Sequence, residues 1–187
     1  MNSEPLLPVL LAYMTTQESY KIAKRATKTK ETKIRQRLLQ RTHLETKTVI
    51  DAEGIIEDSK EETDALFVLG IWAAFERFIR DDLQKRGQIL CHSNPPILGS
   101  AIYKLLEKEI EFWKPAEILD CLKESLFKDK MNLIGHAKQV LAYRDWVAHG
   151  KNPKNPPSTD MKPLSAYNTL NEIVETLLRY PPNQPNI

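Results

Sequence analysis

The chain has 187 residues, 41% hydrophobic and 28% charged, with a formal net charge of +2 at neutral pH. That length suits one domain with a genuine apolar core and an appended arm, and argues against a second full domain. The longest apolar stretch, Ala65 to Phe75, runs straight into Glu76 and Arg77, so no membrane span is expected and the protein reads as soluble.

The N-terminal region offers Leu6, Leu7, Val9, Leu10 and Leu11 without the cationic leader or small-residue cleavage site of a secretory signal, so a cytoplasmic location is expected. From Lys21 to Lys47 ten Lys and Arg residues stand against Glu31 and Glu45 alone. Such a block is either an electrostatic footprint for nucleic acid or a solvated helical face, and charge by itself does not separate the two. Between Tyr20 and Glu53 the apolar points Ile22, Ile34, Leu38, Leu39 and Leu44 are sparse. They predict a long exposed helix or a helical hairpin that leans on the core by one edge.

Ser59 and Glu62 have the spacing of a capping box, and the residues after them are apolar almost all round a helix. This predicts a buried central helix that runs to about Arg86 and stops at Gly87 with a left-handed glycine. Pro95 and Pro96 break the next segment, and Ile97 to Trp113 carries Leu98, Ile102, Leu105, Leu106 and Ile110 at the spacing of a packing helix. Pro115 opens a short helix to about Leu126, Met131 to about His149 forms another, and Lys151 to Met161 is a Pro- and Asn-rich loop. A last helix covers Pro163 to Tyr180. The expected fold is therefore all-α: a basic helical arm or hairpin over 1–57 and a helical bundle over 58–187.

Cys91 and Cys121 stand thirty positions apart and read as core thiols; His92 beside Cys91 has no second pair to complete a zinc site. No metal and no cofactor are expected.

The chemistry points to Tyr143–Lys151, YRDWVAHGK, where Arg144 and His149 bring a fixed cation near a titratable imidazole. A guanidinium can hold a phosphate through two parallel hydrogen bonds, and histidine can exchange protons near neutral pH. The spacing alone is weak evidence, since Arg37 with His43 and Arg86 with His92 share it. Context separates them. The stripe Ile134, Ala137, Val140, Leu141 continues onto Arg144 and then Ala148, placing a cation on a buried face, which is costly without a partner. Five residues are about 140° round an ideal helix, so Arg144 and His149 meet only if the helix frays at Gly150 or a two-fold-related copy supplies the partner. Asp145 lies four before His149 and is placed to orient its ring. The bland reading is a helix-end cation with a capping histidine.

With these residues the sequence resembles the HEPN superfamily, whose ribonucleases are helical bundles carrying an Arg, four to six residues, then a His. Arg144, Asp145 and His149 match that pattern, Ala148 and Gly150 flank the His as in family members, and the resemblance covers roughly Ser59 to Tyr180, leaving the basic arm outside it. It implies a homodimer in which two facing motifs form one metal-independent endoribonuclease site for RNA. His149 would serve as general base or acid, Arg144 would stabilise the phosphorane, and Asp145 would orient His149 or pair with Arg144. Lys151 would contact the RNA backbone, unless it is simply solvated. Glu76, which interrupts the central helix, either approaches Arg144 as in some relatives or pairs with Arg80 one turn on. The resemblance further implies a toxin or antiviral effector, with an antitoxin of nucleotidyltransferase type as a candidate partner. The alternatives are a non-catalytic HEPN-like module that binds RNA or protein, and a helical dimerisation protein.

Overall fold

A computed structural model describes residues 4–182, and these form seven α-helices and two short 3₁₀ turns with no strand among them. The helices are α1 (Leu7–Thr27), α2 (Thr32–Leu39), α3 (Val49–Gly87), α4 (Pro96–Ile110), α5 (Pro115–Glu124), α6 (Met131–Ala148) and α7 (Pro163–Arg179). Among the described residues no helix is long and apolar enough to cross a membrane. The described chain divides into two compact units, 7–67 and 68–182 with residues 4–6. The 39-residue helix α3 passes through both the division between them and position 58, where the sequence places its own boundary.

In the first unit α1 runs antiparallel to the early half of α3, because residue pairs along the two helices advance in opposite directions. Tyr13 stacks on Phe67 with ring centroids 4.3 Å apart. The Tyr13 hydroxyl and Gln17 Nε2 donate to Asp64 at 2.7 and 2.8 Å, and Lys24 and Lys28 pair with Glu57 and Glu53. Burial, then the hydrogen bond to Asp64, holds the Tyr13 phenol above its ordinary range. Leu39, Leu44, Ala52 and Ile56 form a small core with Tyr20, Ala23 and Ala26 packed on it. The basic segment thus runs over the end of α1, the whole of α2 and the turns that lead to α3.

The start of α3 differs from expectation. Thr48 caps the helix: its Oγ1 contacts Asp51 Oδ2 at 2.8 Å and accepts from the Asp51 backbone N–H at 3.1 Å. Ser59 lies inside the helix, its hydroxyl donating to the Ile55 carbonyl at 2.7 Å. The Thr48 cap outcompetes the S-x-x-E box because Ala52 and Ile56 already carry a buried face, so helix begins to gain packing before Ser59. Gly87 also differs, having φ −62° in the right-handed region. It allows a close approach instead: a Cβ there would come within 2.9 Å of Leu106 Cδ2.

In the second unit α3 supplies Ile71, Trp72, Phe75 and Ile79, α5 supplies Ile118 and Leu119, and α6 and α7 close the core with Ile134, Val140, Leu170 and Ile173, all buried. Arg86 pairs with buried Asp82 at 2.6 Å and donates to the carbonyls of Leu177 and Tyr180 at 3.2 and 2.6 Å. These bonds satisfy carbonyls at the end of α7, which gives the Arg86 decoy a structural role. Helix α4 is not the packing helix that its periodicity predicts: of its five named apolar residues only Ile110 is buried, and Leu98, Ile102 and Leu105 are exposed. Nor are the cysteines core thiols, since Cys121 is exposed and Cys91 half-buried.

Candidate functional site at the end of helix α6

The apolar stripe of α6 runs through Ile134, Ala137, Val140 and Leu141 and is completed by Val147; Ala148 is exposed. With Val147 in place of Ala148, Arg144 stays on the stripe, three residues from each of Leu141 and Val147. Its side chain is 29% exposed. A guanidinium so placed needs fixed anions, and it has two: Nη1 donates to Asp145 Oδ1 at 2.8 Å, and Nη2 pairs with Glu76 Oε2 at 3.5 Å.

Glu76 is the hub of this arrangement. One oxygen accepts from Arg80 at 2.7 and 3.2 Å, while the other accepts from the Trp72 indole at 2.9 Å and faces Arg144. Trp72, Glu76 and Arg80 follow at intervals of four on α3, so one helix face aligns donor, acceptor and donor. Arg80 also donates to the carbonyls of Ile110 and Trp113 at and just beyond the end of α4. Its side chain is 8% exposed. The two alternatives for Glu76 are therefore both realised, since it pairs with Arg80 and reaches Arg144. Trp72 and Arg80 belong to the site's support. The sequence signal for them is the four-residue row around a lone carboxylate on an otherwise apolar helix.

The end of α6 is built as a Schellman turn. Gly150 has φ +81°, its N–H donates to the Val147 carbonyl at 3.0 Å, and the Lys151 N–H donates to the Trp146 carbonyl at 2.9 Å. Trp146 reinforces the turn by donating from Nε1 to the Asn152 carbonyl at 2.9 Å. Gly150 is thus the terminator that the sequence marks, but the helix closes firmly rather than fraying. His149 sits at the C-cap, φ −93° and ψ 19°, with an exposed side chain. Its backbone N–H donates to the Asp145 carbonyl at 3.0 Å.

The predicted site residues thus divide into two groups. Arg144, Asp145 and Glu76 form one ion-paired cluster, to which Arg80 belongs. His149 and Lys151 lie at the exposed end of the helix. Among the described residues no hydrogen bond joins the His149 ring to Arg144 or to Asp145, whose carboxylate accepts from Arg144 instead. Lys151, half-buried, has φ +54°. Of the decoys, Arg37 and His43 are both exposed on the hairpin. No family model, no curated protein and no solved structure matches the chain.

Proposed function

We propose that the protein is a metal-independent endoribonuclease of HEPN type, working as a homodimer in which two Arg144–His149 motifs face one RNA strand. The observation that carries this reading is the setting of Arg144: a cation on an apolar stripe, held by Glu76 and Asp145, one to two turns from an exposed imidazole at the rigid end of the same helix. Supporting carboxylates fix the guanidinium in place, and a preorganised cation stabilises developing charge without reorganising during the reaction. Exposure leaves the imidazole free to reach a substrate oxygen.

The step is a transesterification. His149 takes the proton of a 2′-hydroxyl as its oxygen attacks the adjacent phosphorus, Arg144 stabilises the phosphorane, and the bond from phosphorus to the 5′-oxygen breaks. The leaving oxygen receives a proton from an acid, a role that falls by symmetry to the second subunit's histidine. The products carry a 2′,3′-cyclic phosphate and a 5′-hydroxyl. Asp145 acts on Arg144 in this scheme rather than on the histidine, and Lys151 contributes backbone contact. The exposed apolar residues Leu98, Ile102 and Leu105 on α4 give a second copy surface to bury. A toxin or antiviral effector restrained by a nucleotidyltransferase-type antitoxin is the biological setting that goes with this chemistry.

One observation favours the non-catalytic alternative: both terminal nitrogens of Arg144 already face carboxylates. The His149→Ala variant decides between them. In chelator it is expected to stay folded and dimeric while cleaving RNA at least about 100-fold more slowly, the usual contribution of a general acid or base. Cleavage at the wild-type rate would overturn the assignment.

A further inference from the structure

The cations of the α1–α2 hairpin fall into two rows. Lys24 and Lys28 form the inner row and are matched to Glu57 and Glu53 on α3. Arg35 is half-buried and donates to the Lys47 carbonyl at 2.7 Å. The outer row is different. Lys21, Arg25, Lys30, Lys33 and Arg37 are all exposed, and among the described residues their side chains form no ion pair or hydrogen bond. Lys21 and Arg25 are one turn apart on α1, and Lys33 and Arg37 one turn apart on α2; Lys21 borders the groove between α1 and α3 beside Ile56 and Glu57, while Arg25, Lys33 and Arg37 lie on the helix faces opposite the unit's small core.

A merely solvated face would intersperse both signs, as the surface of α3 does with its paired acids. Here ten cations meet two acids, while the remaining 160 residues carry 17 cations against 23 acids. The positive charge of this chain is therefore concentrated on one hairpin of an otherwise acidic protein.

We infer that the outer face of this hairpin binds the phosphate backbone of double-helical RNA. Between Lys21 and Lys47 there is no Phe, Tyr or Trp, and His43 is the single aromatic ring, so the segment offers little of the aromatic surface on which successive unpaired bases stack. What it offers is charge, and a duplex presents phosphates at higher linear density than a single strand. A membrane surface fits less well. Ile22 is exposed on α1 and Ile34 with Leu38 forms one exposed pair on α2, but α2 has eight residues, too few for the continuous apolar face with which an interfacial helix embeds.

RNA as the ligand rests on the ribonuclease function proposed above, but the test does not depend on cleavage. Binding of the full-length His149→Ala chain to a 20-base-pair RNA duplex, to a 20-nucleotide uridine strand and to vesicles of phosphatidylcholine with phosphatidylserine is measured across a salt series. The duplex is expected to bind most tightly, with a log–log salt slope of about −4.5 for five phosphate contacts, or about a 500-fold loss between 50 and 200 mM salt. Reversal of three exposed cations, Lys30→Glu with Lys33→Glu and Arg37→Glu, should make that slope shallower by about 3. The urea midpoint of this variant is expected to be unchanged, which separates lost binding from lost fold. Equal or tighter binding to the uridine strand or vesicles, or a slope that ignores the charge reversal, would overturn the inference. Salt-dependent duplex binding by a wild-type chain that never cleaves RNA would overturn the ribonuclease reading and leave this one standing.

Discussion

The Glu76–Arg80–Arg144 cluster and the outer face of the α1–α2 hairpin are both rich in cations, yet they use charge in opposite ways. In the cluster each guanidinium sits against apolar residues and must be met by a fixed acceptor, so position carries information: Glu76, Asp145 and two carbonyls set the geometry to within a hydrogen bond. On the hairpin the cations are solvated and individually replaceable, and what counts is their sum. A buried charge constrains structure through its partners, whereas an exposed one contributes to a field.

The largest expected effect breaks the first half of that comparison. Glu76→Ala strips the carboxylate from Arg80 and Arg144 together and should cost about 3–5 kcal/mol in urea unfolding, the scale for uncompensating a buried charge. If that loss is under about 1 kcal/mol, the hub is not what holds the two guanidiniums. Next is the end of α6: Gly150→Ala forces a side chain into φ +81° and should destabilise by about 1–2 kcal/mol.

Two glycines sharpen the contrast with it. Gly54 and Gly135 lie inside α3 and α6, where an added Cβ would meet nothing within 4 Å, so alanine at either should raise stability by about 0.5–1 kcal/mol. The smallest effect is a half-exposed ion pair. Arg77, which donates to Glu111 at 2.9 and 3.1 Å, holds that carboxyl below the ordinary range. A depressed carboxylate stabilises the fold above its unfolded titration range and stops doing so as pH falls through it. Solvent screens this pair, so Glu111→Gln should cost only about 0.3 kcal/mol at pH 7 and nothing once the pH is below that range.

Most helices are legible in the sequence because proline and periodicity are local signals: Pro96, Pro115 and Pro163 all lie at the first helical position. Gly150 is legible for the same reason. The start of α3 is not, because Ser59–Glu62 has the local spacing of a capping box while Thr48 offers only a simple cap, and it is the packing of Ala52 and Ile56 that selects Thr48. Within the site, Arg144 on its stripe and Glu76 on α3 can be found from spacing. The choice by Asp145 of Arg144 over His149 cannot, since both lie within reach on an ideal helix. Arg80 is half visible: its pair with Glu76 follows from a four-residue interval, but its bonds to Ile110 and Trp113 depend on how α4 ends against α3.

The most direct test of the central claim is the chemistry of the ends. RNA incubated with the wild-type protein in chelator and analysed for end groups should yield fragments with 2′,3′-cyclic phosphate and 5′-hydroxyl termini, and the His149→Ala protein should yield almost none. Fragments with 3′-hydroxyl and 5′-phosphate termini, or cyclic ends produced equally by both proteins, would contradict the account.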